Sequence, residues 1–563
     1  MTAETFDRRT DSGWPSAVIA VLGILVYFHG LGNGFLNYDD ADQRLLNNPF
    51  LAGPLDWEAI QAAFTRSTGG YYDPVYALSY ALDIHLWGWN PAGIHLGNLV
   101  LHCLNSVLLY SILARLTGDR ALAFLAGIFF VVHPIHVESV SWATSRKDTL
   151  SLFFGLASLS LYWKGEGAAR GKFILHLSGA VALLLLGMMT KPTVIVLPIV
   201  GLLAEVLLRR RPPAFRRMWL FQGACFVMVG IFLAATLPLA VGDALKPDLR
   251  SSPVGNGIFF ADLYGYFTRL ILFPLNLCAL YLIPFNKSMG YATAAGIFTL
   301  VLIGAGWVAG VRRYFVFAGE REVPIAPASW GLAVFGAGLF PFTNVVPRTI
   351  YLADRYEYIA SMGFCLILAV GIMRLSRPVY RAVLGVLLVV LFSALSIDRV
   401  KVWRDSPTLW ADADRKRNIP SAQHHLLMGD SFAFHGRWRE AAFEYEAAGP
   451  EQVTDPAIMM KVANGFVLSG NLERAETLVR AFLIRDPDFL SAASWLVLVR
   501  VGVKDYPRAR GILDEFADRF TPQEYGFLKD LIEYDKEGER EEASRAYRDL
   551  TTSLGRRMRD VQR

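Results

Sequence analysis

Apolar runs separated by short polar or basic stretches fill the first 400 residues, centred near residues 24, 104, 127, 155, 182, 200, 230, 300, 334, 366 and 390. A helix needs roughly 20 apolar residues to cross the hydrocarbon of a bilayer, so the pattern predicts about eleven spans. The first run, WPSAVIAVLGILVYFHGLG, has a polar start before it and no small-residue cleavage site after it, and reads as a retained signal anchor. With the N-terminus placed in the cytoplasm, alternate loops carry Arg115 and Arg120, then Lys164, Arg170 and Lys172, then RRRPPAFRR, then Arg312 and Arg313, then Arg374, Arg377 and Arg381. Positive charge on every inner turn is the expected bias. The segment GIFFADLYGYFTRLILFPLNLCALYLIPF is broken by Asp262, Arg269, Pro274 and Pro284, and is expected as interfacial helices on the outer face, since a full span there would reverse every later loop.

From about residue 420 the pattern changes to charged and self-similar. Ala441, Ala475, Ala509 and Ala543 repeat every 34 residues, as do Tyr445, Val479, Leu513 and Tyr547, and Ala448, Phe482, Phe516 and Leu550, with Gly436 and Gly470 at the turns. A small residue recurring at that period, where two helices pack closely, is the tetratricopeptide (TPR) signature. The expected architecture is therefore all-α: a polytopic membrane bundle over 1–400, a linker over 401–420, and a solenoid of about four helical pairs over 421–563 on the outer side. The solenoid is expected either to recruit a peptide or to be a passive cap.

Composition sharpens this picture. With 563 residues, 53% hydrophobic and only 19% charged, the chain is too apolar for an ordinary soluble protein. Its net charge of +5 sits between the apolar runs rather than along a stripe, which argues against nucleic acid as a partner. Cys103, Cys225, Cys278 and Cys365 lie far apart in apolar stretches, so no disulfide framework or zinc site is indicated.

On the outer face the orientation gathers NYDDAD, HPIHVESVSWATSRKD, MTKPT and VPRTIYLADRYEY. Polar residues kept near membrane depth mark function, and four such motifs on one face suggest one site. Asp39 and Asp40 are either solvated loop carboxylates, or a general base for an acceptor hydroxyl, or a pair holding a divalent cation (Mg or Mn) against a phosphate. The spacing of His133 and His136 resembles a metal pair, but Pro134 interrupts the helix and no third ligand is evident nearby. Arg146 and Lys147 suit a phosphate, one as a planar fork and the other as a point charge, and Lys191 and Arg355 add two more cations. Tyr38, His133, His136, Glu138, Asp148, Asp354, Tyr356 and Tyr358 are expected to support them. His95, Asn98, His102 and Asn105 share one helical stripe and are expected to hydrogen bond between helices.

These motifs, together with HLGNLVLH, MTKPTVIVLP, ADRYEYIASMGF and VWRDSPTLW, occur in an order that resembles the transmembrane and tetratricopeptide-repeat O-mannosyltransferases, and more closely their bacterial relatives, within the GT-C class of glycosyltransferases. The resemblance implies inverting transfer of a sugar, a hexose such as mannose, from a polyprenyl-phosphate carrier to a hydroxyl acceptor on the non-cytoplasmic face. It implies an active site between the first outer loop and the bundle, with Asp39 or Asp40 matching the acidic pair and Asp39 preferred as base. Arg146, Lys147, Lys191 and Arg355 are then phosphate contacts on physical grounds. One departure stands out: the family pattern has an arginine before the proline of the aromatic loop, whereas this chain has Asp73 in YYDPVY. The expected setting is a bacterial inner membrane, with the repeats periplasmic and a protein acceptor. A lipid or polysaccharide acceptor, and a non-catalytic scaffold organised by the repeats, remain open; a transporter's inverted repeat is not evident.

Overall fold

A computed structural model of the chain describes residues 13–40, 45–48, 50–51, 53–65, 72–208, 215–240, 253–281, 290–316, 326–343, 350–416, 421–453, 455–486 and 490–561. Most of the basic loop RRRPPAFRR and the first residues of VPRTIYLADRYEY lie outside them. The chain divides into two compact units at residues 419 and 420. Among the described residues all regular structure is helical.

Every apolar run of the first unit forms a helix. These are α1 (Trp14–Tyr27), α2 (Trp57–Thr65), α3 (Pro74–Trp87), α4 (Pro91–Thr117), α5 (Arg120–Val132), α6 (Val137–Ser141), α7 (Arg146–Gly165) and α8 (Arg170–Met188). There follow α9 (Leu197–Leu207), α10 (Phe215–Ala240), α11 (Pro253–Leu272), α12 (Tyr291–Val316), α13 (Pro327–Leu339), α14 (Ser361–Met373), α15 (Pro378–Val402) and α16 (Ser406–Arg415). Local sequence sets their ends. Asn90 caps α4 by accepting from the Ala92 amide, Pro91 fits its first turn, and Gly118 closes it at φ 69°.

Six stretches are long and apolar enough to cross a membrane: Trp14–Gly32, Pro91–Thr117, Arg170–Met188, Arg216–Thr236, Tyr291–Arg312 and Pro378–Val402. A seventh is the pair Arg120–Val132 and Pro134–Ser141, bent by 49°. Shorter apolar helices lie at Pro192–Leu207, Pro327–Phe342 and Ser361–Met373. They are short because tight 3-10 turns interrupt them at Pro134–His136, Pro192–Val196, Phe340–Phe342 and Asp354–Glu357. Irregular backbone is tolerated at such depth only where protein surrounds it, and the turns at Pro134–His136 and Asp354–Glu357 are buried at every residue.

Two expectations change. The segment placed on the membrane surface contributes α11, which packs against α12. A methyl on Gly265 would strike the Ala292 carbonyl, and one on Gly296 the Ala261 carbonyl, so small residues seat this helix within the bundle. The stretch read as a linker is, up to residue 416, part of the first unit. Trp403, Leu409 and Trp410 are fully buried, and the Gly34 amide donates to the Arg404 carbonyl at 2.9 Å. Ser406 Oγ accepts from the Asn37 amide at 2.9 Å, and Trp410 Nε1 donates to Asn37 Oδ1 at 2.9 Å.

The second unit is a run of helical pairs: α17 (Ser421–Phe434) with α18 (Trp438–Ala447), α19 (Pro456–Leu468) with α20 (Leu472–Arg485), α21 (Leu490–Gly502) with α22 (Tyr506–Glu515), and α23 (Pro522–Glu537) with α24 (Arg540–Val561). Its repeating alanines are buried, and only Tyr547 of the repeating large residues is exposed, at 47%. Gly436, Gly470, Lys504 and Gly538 all adopt positive φ, at 71°, 90°, 61° and 82°, one per repeat. After each, an amide donates to the carbonyl five residues back: Arg437 to Phe432, Asn471 to Phe466, Asp505 to Arg500 and Glu539 to Tyr534, at 2.8–2.9 Å. This is the glycine-type helix stop. Between repeats, Glu476 is contacted by Arg480, Arg500 and Arg508; burial pushes its carboxyl up, but these arginines hold it at about 2.

Lys504 carries the left-handed turn with a side chain that disfavours it. Lys504→Gly is expected to stabilise the second unit by about 0.5–1 kcal/mol, read as a higher unfolding midpoint by circular dichroism.

Candidate active site

The site is built where the helix after α5 fails. Pro134 cannot continue it, His133 Nδ1 accepts the Ile135 amide at 3.2 Å, and Trp142 is extended between α6 and a turn at Ala143–Ser145. The loop after α1 closes on this break. Asp40 is fully buried; its Oδ2 accepts from the Leu36 amide at 2.9 Å and its Oδ1 from the Thr144 amide at 3.1 Å. Burial pushes its carboxyl up to about 7 against those two donors. Asp39, beside it, is half-buried. The paired carboxylates therefore divide: one binds the fold together and the other reaches the surface.

Tyr38 stacks on Trp142 with ring centroids 4.6 Å apart and meets Trp410 edge-on at 5.4 Å, while Trp142 backs onto Trp403 at 5.9 Å. The Arg355 guanidinium lies 5.2 Å from the Trp142 ring centre and 5.0 Å from that of Tyr356. Glu138 holds Arg355 twice, pairing with its guanidinium and accepting its backbone amide at 3.2 Å. Lys191 pairs with Asp148 and lies 5.9 Å from the Tyr356 ring centre. Asp148 also accepts from Ser145 Oγ at 3.3 Å. Tyr38, Glu138, Asp148, Lys191, Arg355 and Tyr356 thus form one connected group around Trp142.

Arg146 does not join it. Its guanidinium donates to Asn98 Oδ1 at 2.8 Å, the Ile94 carbonyl at 2.7 Å and the Ser79 carbonyl at 3.2 Å, and pairs with Asp83. Only 2% exposed, it clasps α3 to α4 with its donors spent on those two helices. Lys147 is half-buried on the first turn of α7. Of the four cations expected to converge, Lys191 and Arg355 meet at the Tyr356 ring, while Arg146 is engaged by α3 and α4.

His136 and Tyr358 belong to the polar stripe inside the bundle. His136 Nε2 meets Ser361 Oγ at 2.7 Å, and Tyr358 Oη meets His102 Nδ1 at 2.8 Å and Asn105 Nδ2 at 3.2 Å. Asn98 donates to the Trp142 carbonyl at 3.1 Å, and Asn105 donates to the Thr149 carbonyl of α7 at 2.8 Å, the latter between helices as expected. Among the described residues no group of three His, Cys, Asp or Glu side chains is arranged to hold a metal ion.

Asp354 turns away from the rim. Its Oδ1 accepts from Tyr281 Oη at 2.6 Å, and Arg399 is 3.9 Å from its Oδ2. Arg399 pairs with Asp412 at 2.6 Å, which Lys416 contacts at 2.8 Å. Sequence reasoning misses this second layer, although VWRDSPTLW carries its tryptophans.

These features define a multi-pass membrane protein with a charged, aromatic-lined site at the end of its first loop. Residues 73–236, from α3 through most of α10, match a family described as dolichyl-phosphate-mannose-protein mannosyltransferase. The chain is similar over most of its length to TMTC-type protein O-mannosyltransferases. It is 25% identical over 454 residues to Protein O-mannosyl-transferase F38B6.6 of Caenorhabditis elegans, covering 76% of this chain and 61% of that protein. With Protein O-mannosyl-transferase TMTC1 of Homo sapiens it shares 26% identity over 499 residues, 77% of this chain and 54% of the relative. A stretch of 155 residues is 35% identical to TMTC1 of Mus musculus, 26% of this chain and 16% of that protein. The chain thus spans little more than half the length of the first two relatives.

Lysine cannot serve the acceptors of Arg146 together, because it lacks the planar fork. Arg146→Lys is expected to destabilise the first unit by about 2 kcal/mol, seen as a lower melting temperature in detergent.

Proposed function

We propose that this chain is an integral-membrane, inverting glycosyltransferase. It moves a sugar, a hexose such as mannose, from a polyprenyl-phosphate carrier to a hydroxyl of a protein acceptor on the non-cytoplasmic face. The observation that carries this reading is the meeting of Lys191 and Arg355 on the Tyr356 ring beside the loop that bears Asp39. A second feature supports a lipid carrier. An apolar cavity of about 750 Å³ is lined by Phe64, Tyr72, Leu185, Met189, Met228 and Phe232, and the Met189 carbonyl, two residues before Lys191, accepts the Val75 amide at 3.3 Å. A prenyl chain held there places its phosphate at the polar turn that follows α8.

In the proposed reaction the acceptor oxygen attacks the anomeric carbon as the bond from that carbon to the phosphate oxygen breaks. Asp39 takes the hydroxyl proton, and Arg355 and Lys191 stabilise the charge that gathers on the departing phosphate. The phosphate is a competent leaving group without a general acid, so positioning and charge stabilisation carry the catalysis. The TPR unit is assigned the recruitment of the acceptor or of a partner. The proposed setting is a bacterial inner membrane, with the N-terminus cytoplasmic and the repeats periplasmic.

A general base contributes about 10² to 10⁴-fold. Asp39→Asn is expected to cut transfer from a radiolabelled polyprenyl-phosphate hexose by that factor, measured on protein shown to be folded by circular dichroism. Unaltered turnover in this variant would remove Asp39 as the base. Label recovered in solvent-extractable lipid instead of protein would move the acceptor to a lipid.

A further inference from the structure

Glu357 is fully buried, and among the described residues neither of its carboxyl oxygens has a hydrogen-bond partner. It ends the 3-10 turn Asp354–Glu357 that carries Arg355. In such a turn side chains three apart eclipse, so Glu357 lies over Asp354. The surrounding charges do not balance. Glu138, Asp354, Glu357 and Asp412 supply four carboxyls, against Arg355, Arg399 and Lys416. Of the other elements against the turn, the one at Pro134–His136 brings His136, which is bonded to Ser361, and α11 brings Asp262, bonded to Thr293, and Arg269, bonded to Tyr291. Tyr281 donates to Asp354, and α13 carries no charge. A buried carboxylate without a donor is far costlier than the neutral acid.

We propose that Glu357 is a positioning residue kept as a neutral acid beneath the Arg355 turn, and that its ionisation displaces Arg355 from Glu138 and from the site. While neutral, it lets the turn pack in apolar surroundings with Asp354 anchored to Tyr281. Once charged, it repels Asp354 and demands water, and the turn opens, taking with it the amide and guanidinium that Glu138 holds. A folded state that keeps a proton the unfolded chain releases loses stability as pH rises above the ordinary carboxylate range, until the folded group also ionises.

The inference rests on the transferase reading only for its effect on activity, so two readouts separate them. Melting of the full chain in detergent is followed from pH 5 to pH 9 for the wild type and Glu357→Gln. The wild-type folding equilibrium should fall by up to about tenfold per pH unit more steeply than that of the variant. Parallel slopes would overturn the neutral acid whether or not the protein transfers sugar. Transfer by Glu357→Gln should match the wild type near pH 6 and lack its alkaline fall. A variant that loses the slope but keeps that fall would overturn the link to Arg355. If Glu357→Gln fails to fold, Glu357→Met, which removes the acid and suits the apolar surroundings, serves: it must lose the same slope, and a slope equal to that of the wild type overturns the neutral acid.

Discussion

The two amides that Asp40 accepts, from Leu36 and Thr144, hold together the place where a helix is allowed to fail. Backbone groups freed at membrane depth find no water and must be satisfied by protein. The chain solves this by turning the loop after α1 back over the break between α5 and α7, with a carboxylate as the bridge. Trp142 is then presented flat to Tyr38, Glu138 is presented to Arg355, and the stretch 404–410 lies against Gly34 and Asn37. Without the bridge, none of these partners has a fixed surface to meet.

Desolvation governs the charges gathered around that bridge. Each buried cation there has a carboxylate: Arg146 has Asp83, Lys191 has Asp148, Arg355 has Glu138 and Arg399 has Asp412. An unpaired charge would not survive in such surroundings. Under the proposed reading an arriving phosphate therefore exchanges partners with Glu138 and Asp148 rather than filling an empty cation site. Such an exchange favours a ligand whose charge grows during reaction, because the carboxylates it displaces already set the cations in place.

The helices and repeats are legible because burial requires apolar periodicity, and periodicity is visible in one dimension. The 34-residue alanines and the positions of the runs follow from that alone. The direction a side chain takes where a helix breaks is not legible in this way. Arg146 and Arg355 look alike in sequence, each within two residues of an aspartate and near a span, yet one clasps α3 to α4 and the other lies over Trp142. Glu357 sits inside a motif that stands out in the sequence, but nothing in DRYE says that its carboxyl finds no partner. The stretch around Trp403 and Trp410 reads as a linker because of its charges, and only its packing on the first loop explains those tryptophans.

Two adjacent carboxylates can serve one site only if their environments differ. Asp39 and Asp40 lie in the same turn yet meet different surroundings, the one at the rim and the other in the protein interior. The inward group must meet donors, and the amides of Leu36 and Thr144 supply them. Fixing Asp40 in this way also fixes the backbone of Asp39. Under the proposed reading, a base at a membrane surface gains from such an arrangement. It stays reachable by an acceptor arriving from water, while the loop that carries it is anchored as firmly as the core.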